Sequence, residues 1–93
     1  MIIGSCTVEL SIGGVASLKE KRHIIKSIIQ RIQSRFNVSI AEVGAQDKWQ
    51  HAVLGICCVS NQSAHANSMI SHVVNFIKRD GRVLLIDYSI EII

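Results

Sequence analysis

The stretch S-L-K-E-K-R, Ser17 to Arg22, is the densest run of chemistry-bearing side chains in this chain. Ser17, with Glu20 three residues later, has the spacing of a capping box, so a helix is expected to begin here. Lys19, Lys21 and Arg22 then sit at the helix end that carries positive partial charge, where a cation costs about 0.3–1 kcal/mol. At about 100° per residue, Lys19, Arg22 and Lys26 fall within about 60° of arc, while Lys21 falls near the apolar arc and is expected to snorkel past it to solvent. A helix N-terminus, the N–H groups after Gly13-Gly14 and these cations together make an anion site, for which nucleic-acid phosphate is the natural ligand. Lys19, Lys21, Arg22 and Lys26 are therefore the candidate anion-binding residues. The competing reading is a solvated charged face that keeps the protein soluble.

The other reactive side chains do not converge in sequence. His65 and His72 are seven apart on one predicted helix, and the i, i+4 zinc spacing is absent. Cys6, Cys57 and Cys58 are odd in number, and neighbours on a strand point to opposite faces. They read as small buried hydrophobes of a reducing compartment. No Ser/His/Asp order can be assigned, and Gly13-Gly14 lacks the Lys and Ser/Thr spacing of a phosphate loop. Neither a catalytic constellation nor a metal or cofactor site is expected. Trp49 lies in a polar connection beside Asp47 and Lys48, where it either folds over the core edge or meets a partner.

Bulk properties set the frame for these residues. Ninety-three residues, 48% of them hydrophobic, suffice for one domain and one core, which is Ile/Val-rich rather than aromatic. A formal charge of +3 permits a polyanionic partner without demanding one. No apolar run approaches the ~20 residues of a membrane span, and the N-terminus lacks a signal peptide's basic region. A cytoplasmic protein without a membrane role is expected.

The elements that must position the cations follow from periodicity. Ser5 to Ile12 alternates, with Cys6, Val8, Leu10 and Ile12 on one face. Leu18, Ile25, Ile28, Ile29, Ile32 and Phe36 make a helical stripe ending near Phe36. Val38 to Val43 reads as a short strand, and Ala52 to Ser60 as a central one, apolar on both faces. A second helix starts at Ser60 or Asn61, with Ala66, Met69, Ile70, Val73 and Ile77 inward and Gly81 at the C′ position. Val83 to Ile92 closes the chain, with Leu84, Ile86, Tyr88, Ile90 and Ile92 expected inward. The order β-α-β-β-α-β predicts an α+β, ferredoxin-like sandwich over residues 1–93. Its strand order is expected to be 4-1-3-2, antiparallel apart from a parallel central pair of strands 1 and 3, with both helices on one face. The uncovered face would present Val53, Gly55, Cys57 and Val59, a small apolar strip that a second copy could cover. Val53, Cys57, Val59 and Trp49 are the candidate interface residues. Thr7, Glu9, Asp87 and Glu91 on the same face lack aromatics and repel phosphate, which argues against base stacking on the sheet.

S-L-K-E-K-R with Lys26, R-F-N-V-S (Arg35 to Ser39), A-E-V-G (Ala41 to Gly44), Asp47 with Trp49, and Leu54-Gly55 together resemble the YlxP-like family of small bacterial proteins. The resemblance runs over nearly the whole chain. It implies a ferredoxin-like fold and a bacterial cytoplasmic origin, but no catalytic residue. The family's genes tend to lie near translation-initiation and ribosome-maturation genes, which implies an RNA or ribosome connection by association. Two functions are thus expected to compete. One is a non-catalytic RNA- or ribosome-associated protein using the basic helix. The other is a homodimeric interaction module pairing through the sheet face, with no nucleic-acid role.

Overall fold

The computed structural model describes residues 1–93. Strand β1 spans Ile2–Ser11, helix α1 Leu18–Arg35, β2 Ser39–Gly44, β3 His51–Ser60, α2 Ser63–Lys78 and β4 Leu84–Ile92. The sheet reads β2-β3-β1-β4 from one edge and β4-β1-β3-β2 from the other. Every neighbouring pair is antiparallel, including β1 with β3. The expected parallel central pair is thus incorrect, and chain direction explains why. The α1 crossover returns β2 in the direction of β1, and the β2–β3 connection then reverses the chain. The strand that inserts beside β1 therefore runs against it. Like-directed strands exist, but none are neighbours.

One sheet face and two helix stripes enclose the core. Cys6, Val8, Leu10 and Ile12 meet Ala52, Leu54, Ile56 and Cys58 beneath Ile25, Ile28 and Ile32 of α1 and Ala66, Ile70, Val73, Val74 and Ile77 of α2. Burial holds the Cys6 thiol above its ordinary pKa, consistent with an inert packing group. None of the three cysteines is in a disulfide.

Local chemistry sets the boundaries. Gly14 has φ 76°, a left-handed turn conformation favourable to glycine, and this turn ends the β1 run before α1. Ser17 Oγ accepts the Glu20 N–H at 3.2 Å, while Glu20 Oε2 accepts the Ala16 N–H at 2.8 Å, one residue upstream of the usual capping-box donor. Helix α2 begins after Gln62 with no side-chain cap, two residues later than expected from Asn61. It also ends without Gly81 at C′. Arg79 is the C-cap in right-handed helical geometry, which places Asp80 at C′.

Strand β4 departs most from simple alternation. Its pairing with β1 slips at Glu9/Leu10, and Ile86 is the extra residue. Beyond this bulge Leu85, not Leu84 or Ile86, packs against the core. Leu84 and Ile86 are exposed, at 68% and 50%.

Candidate functional site

Helix α1 divides its basic residues between two environments. Lys19, Arg22 and Lys26 are exposed, whereas Lys21 is fully buried. Lys21 does not snorkel outward. Its Nζ lies 2.6 Å from Glu42 Oε2 and donates to the Ala45 carbonyl at 2.7 Å. Alternation along β2 makes this possible. Ile40 pairs with Ile56 and Glu42 with Leu54, both core-facing partners, so Glu42 is aimed under α1 and Val43 to the open face. Gly44 then pairs with Val53, leaving Val43 as the extra residue of a bulge. Ala45 sits at φ 56°, an uncommon angle for a residue with a Cβ, and its carbonyl is held by the Lys21 ammonium. Lys21 is therefore corrected from an anion-binding candidate to a structural cation.

The loop after α2 supplies further cations. Arg82 Nε and Nη2 donate to the two Asp80 carboxylate oxygens at 2.9 and 2.7 Å, and Nη1 donates to Ser27 Oγ on α1 at 3.3 Å. The Arg82 hydrogen bonds hold the Asp80 pKa below its ordinary value, and Asp80 in turn raises that of Arg82. Beside this pair, a cleft of about 550 Å³ opens between Gly13-Gly14 and Gly81, with Lys19, Glu20 and His23 on its wall. A smaller hollow of about 150 Å³ is lined by Arg31, Arg35, Phe76, Arg79 and Asp80. The Arg35 guanidinium lies 5.2 Å from the centre of the Phe76 ring. Sequence reasoning placed none of His23, Arg79 or Arg82 at a site. The only available signal was R-D-G-R, Arg79 to Arg82, at the end of the second helix.

Charge is therefore segregated. Lys19, Arg22, Lys26, Arg31, Arg35, Lys78, Arg79 and Arg82 belong to the helix layer, and its two carboxylates, Glu20 and Asp80, are both engaged. The open sheet face carries Glu9, Asp87 and Glu91, and no cation among its outward strand positions. Glu9 and Asp87 are direct cross-strand partners, an unfavourable like-charge pairing.

The apolar strip lies on the other half of that face. Val53 and Cys57 are half-buried, Val59 is 65% exposed, and Trp49 in the β2–β3 connection keeps 44% of its surface accessible. A Cβ on Gly55 would stand 3.0 Å from Val43 Cγ1, so only glycine fits beneath the bulged valine without adjustment. A hollow of about 380 Å³ follows Ala41, Val43, Gly55 and Cys57. The histidines are dispersed, and His65 Nδ1 bonds Ser60 Oγ at 3.0 Å. No three His, Cys, Asp or Glu side chains converge as metal ligands. No helix is long and apolar enough to cross a membrane.

Residues 3–90 match the family model described as "Protein of unknown function (DUF503)". The chain belongs to this family. A curated relative, "Uncharacterized protein YlxP" of Bacillus subtilis (strain 168), is 42% identical over 76 residues, covering 82% of this chain and 83% of that one. Among solved structures, a de novo designed protein with a ferredoxin fold is similar at a TM-score of 0.57 and 17% identity, covering 98% of this chain and 86% of that one. A dimeric ferredoxin-like protein from an uncultured marine organism is similar at a TM-score of 0.46 and 8% identity, covering 100% and 94%. The designed protein supports the ferredoxin-like fold of this DUF503 member, while YlxP supports its family.

Proposed function

We propose that the helix layer of this DUF503 protein binds a polyanion, and that the polyanion is RNA, free or within the ribosome. The reading rests on one observation. The helix layer carries eight cations against two carboxylates already engaged at home, while the opposite face is acidic. Such a layer draws phosphate towards one side of the molecule and turns it away from the other. Lys19, Arg22 and Lys26 are the leading contacts, because all three are exposed on one side of α1. The role asked of the protein is binding, not catalysis.

The test is RNA binding by the whole protein over a range of salt. About three phosphate contacts give a log–log slope of roughly −2 to −3, depending on strand state. Charge reversal of Lys19, Arg22 and Lys26 together is expected to weaken binding to all sequences alike. Salt-independent binding, or unchanged binding by the triple variant, sinks the reading. Pull-down from lysate with and without nuclease, comparing wild type with the triple variant, separates capture through RNA from capture through protein, and co-captured ribosomal proteins mark the ribosome.

A second reading, pairing of two copies through the sheet face, is favoured by the hollow beside Gly55 and the exposure of Val59. It predicts a dimer that Val59→Asp dissociates, and a mass that stays monomeric at high concentration counts against it.

A further inference from the structure

Strand β4 is an edge whose outer backbone groups can be assigned by register. Ile3 and Ile93 exchange both main-chain hydrogen bonds, at 3.1 and 2.8 Å. Antiparallel pairs alternate from there between bonded and non-bonded. Ser5↔Glu91, Thr7↔Ser89 and Glu9↔Asp87 are bonded pairs, while Gly4↔Ile92, Cys6↔Ile90 and Val8↔Tyr88 are not. The N–H and C=O groups of Tyr88, Ile90 and Ile92 therefore point away from β1, off the sheet. The Tyr88 N–H is held at 2.8 Å by Asp87 Oδ1, its own neighbour. Ile90 and Ile92 have no such hold.

The same residues leave apolar side chains uncovered. Tyr88 is 42% and Ile92 37% exposed, on the helix side of the sheet where the helices cover them only in part. Lys78 of α2 lies 5.3 Å from the Tyr88 ring centre. Proteins ordinarily guard an edge with lysine, proline, a bulge or shortness. This nine-residue edge has neither lysine nor proline, and its bulge at Ile86 lies before Tyr88, leaving the run from Tyr88 to Ile92 regular. Edge β2 is shorter, with six residues, and is bulged at Val43.

We infer that β4 pairs antiparallel with β4 of a second copy, in a register centred on Ile90. The register is self-complementary. Ile90 exchanges bonds with its own mate, and Ile92 with Tyr88 of the other copy once Asp87 swings aside. Each Tyr88 then packs beside the other copy's Ile92, on the helix side where both are exposed. On the open face Glu91 meets Ser89 and Asp87 meets Ile93, so no two carboxylates are directly opposed. The twofold axis stands normal to the sheet. The two four-stranded sheets become one, and both helix layers lie on the same side. This inference stands on the edge geometry alone and does not require polyanion binding.

Sedimentation equilibrium of the full chain, from micromolar to millimolar, tests it. The expected mass rises from the 10.3 kDa of one chain towards twice that value. Ile92→Pro removes a donor that no bond within the chain uses, and by symmetry removes two bonds from the pair. It is expected to weaken association roughly tenfold while leaving the fold intact. Amide exchange gives a reading free of mutation. Ile90 and Ile92 N–H are expected to gain protection with concentration, whereas the Glu91 N–H is protected throughout. A mass of one chain at every concentration overturns the inference. So does a dimer that Val59→Asp dissociates and Ile92→Pro does not.

Discussion

The two sides of this sheet are built from one short sequence but offer opposite surfaces. The helix layer is cationic, and its few carboxylates are spent on a cap and on an arginine. The open face is acidic along β1 and β4 and apolar along β3 and β2. A formal charge of +3 describes neither side. The surplus of cations on the helix layer is larger than the total, because the open face subtracts from it. Net charge is thus a poor guide to a partner when a two-layer fold sorts its charges by side.

Breaking this division begins with the cation that belongs to neither surface. Lys21→Met leaves Glu42 without its neutralising partner, and a loss of about 2–3 kcal/mol in urea unfolding is expected, below the fully buried case because Glu42 stays 18% exposed. Lys21→Met with Glu42→Leu is expected to recover much of that, which a double-mutant cycle measures. A stability change for Lys21→Met no larger than for Lys26→Met would show that the division within α1 is not real.

Reversing Lys19, Arg22 and Lys26 tests the division of function, with an expected fall in RNA affinity of about tenfold or more at low salt. Neutralising Glu9, Asp87 and Glu91 is expected to leave that affinity unchanged or raise it. Opposite results in the two sets would reverse the assignment of sides. Ser17→Ala removes the cap that lets α1 begin among its own cations, and a cost of about 1 kcal/mol is expected in thermal unfolding. The smallest effect concerns Asp80. Its folded pKa lies below the unfolded value, so its contribution is fully present above the unfolded pKa of about 4 and is lost as pH falls through the folded one. Asp80→Asn is expected to flatten the acid limb of the stability curve and leave its neutral limb in shape.

Much of this was legible beforehand. Period-two and helical patterns located all six elements, and the Ser17–Glu20 spacing located the start of α1. The crossover pattern predicts the neighbours of β1 but not their direction, because the β2–β3 connection reverses the chain before β3 inserts beside β1. The inward face of β4 failed at Ile86, since a bulge adds one residue and inverts every side chain beyond it. Lys21 failed for a different reason. An arc on a helix says which way a side chain leaves, but not that β2 is docked there with Glu42, two residues after buried Ile40, facing it. Likewise Arg79 and Arg82 join the basic layer only through the turn after α2, which no periodic pattern encodes.

The enclosure of Lys21 has a chemical consequence. An amine-reactive reagent meets Lys19, Lys26, Lys48 and Lys78 at the surface, but reaches Lys21 only when α1 parts from β2. Acylation at that one nitrogen is therefore a clock for the opening of a single seam. It runs inside the unmodified protein and can be read by mass spectrometry with and without a bound partner.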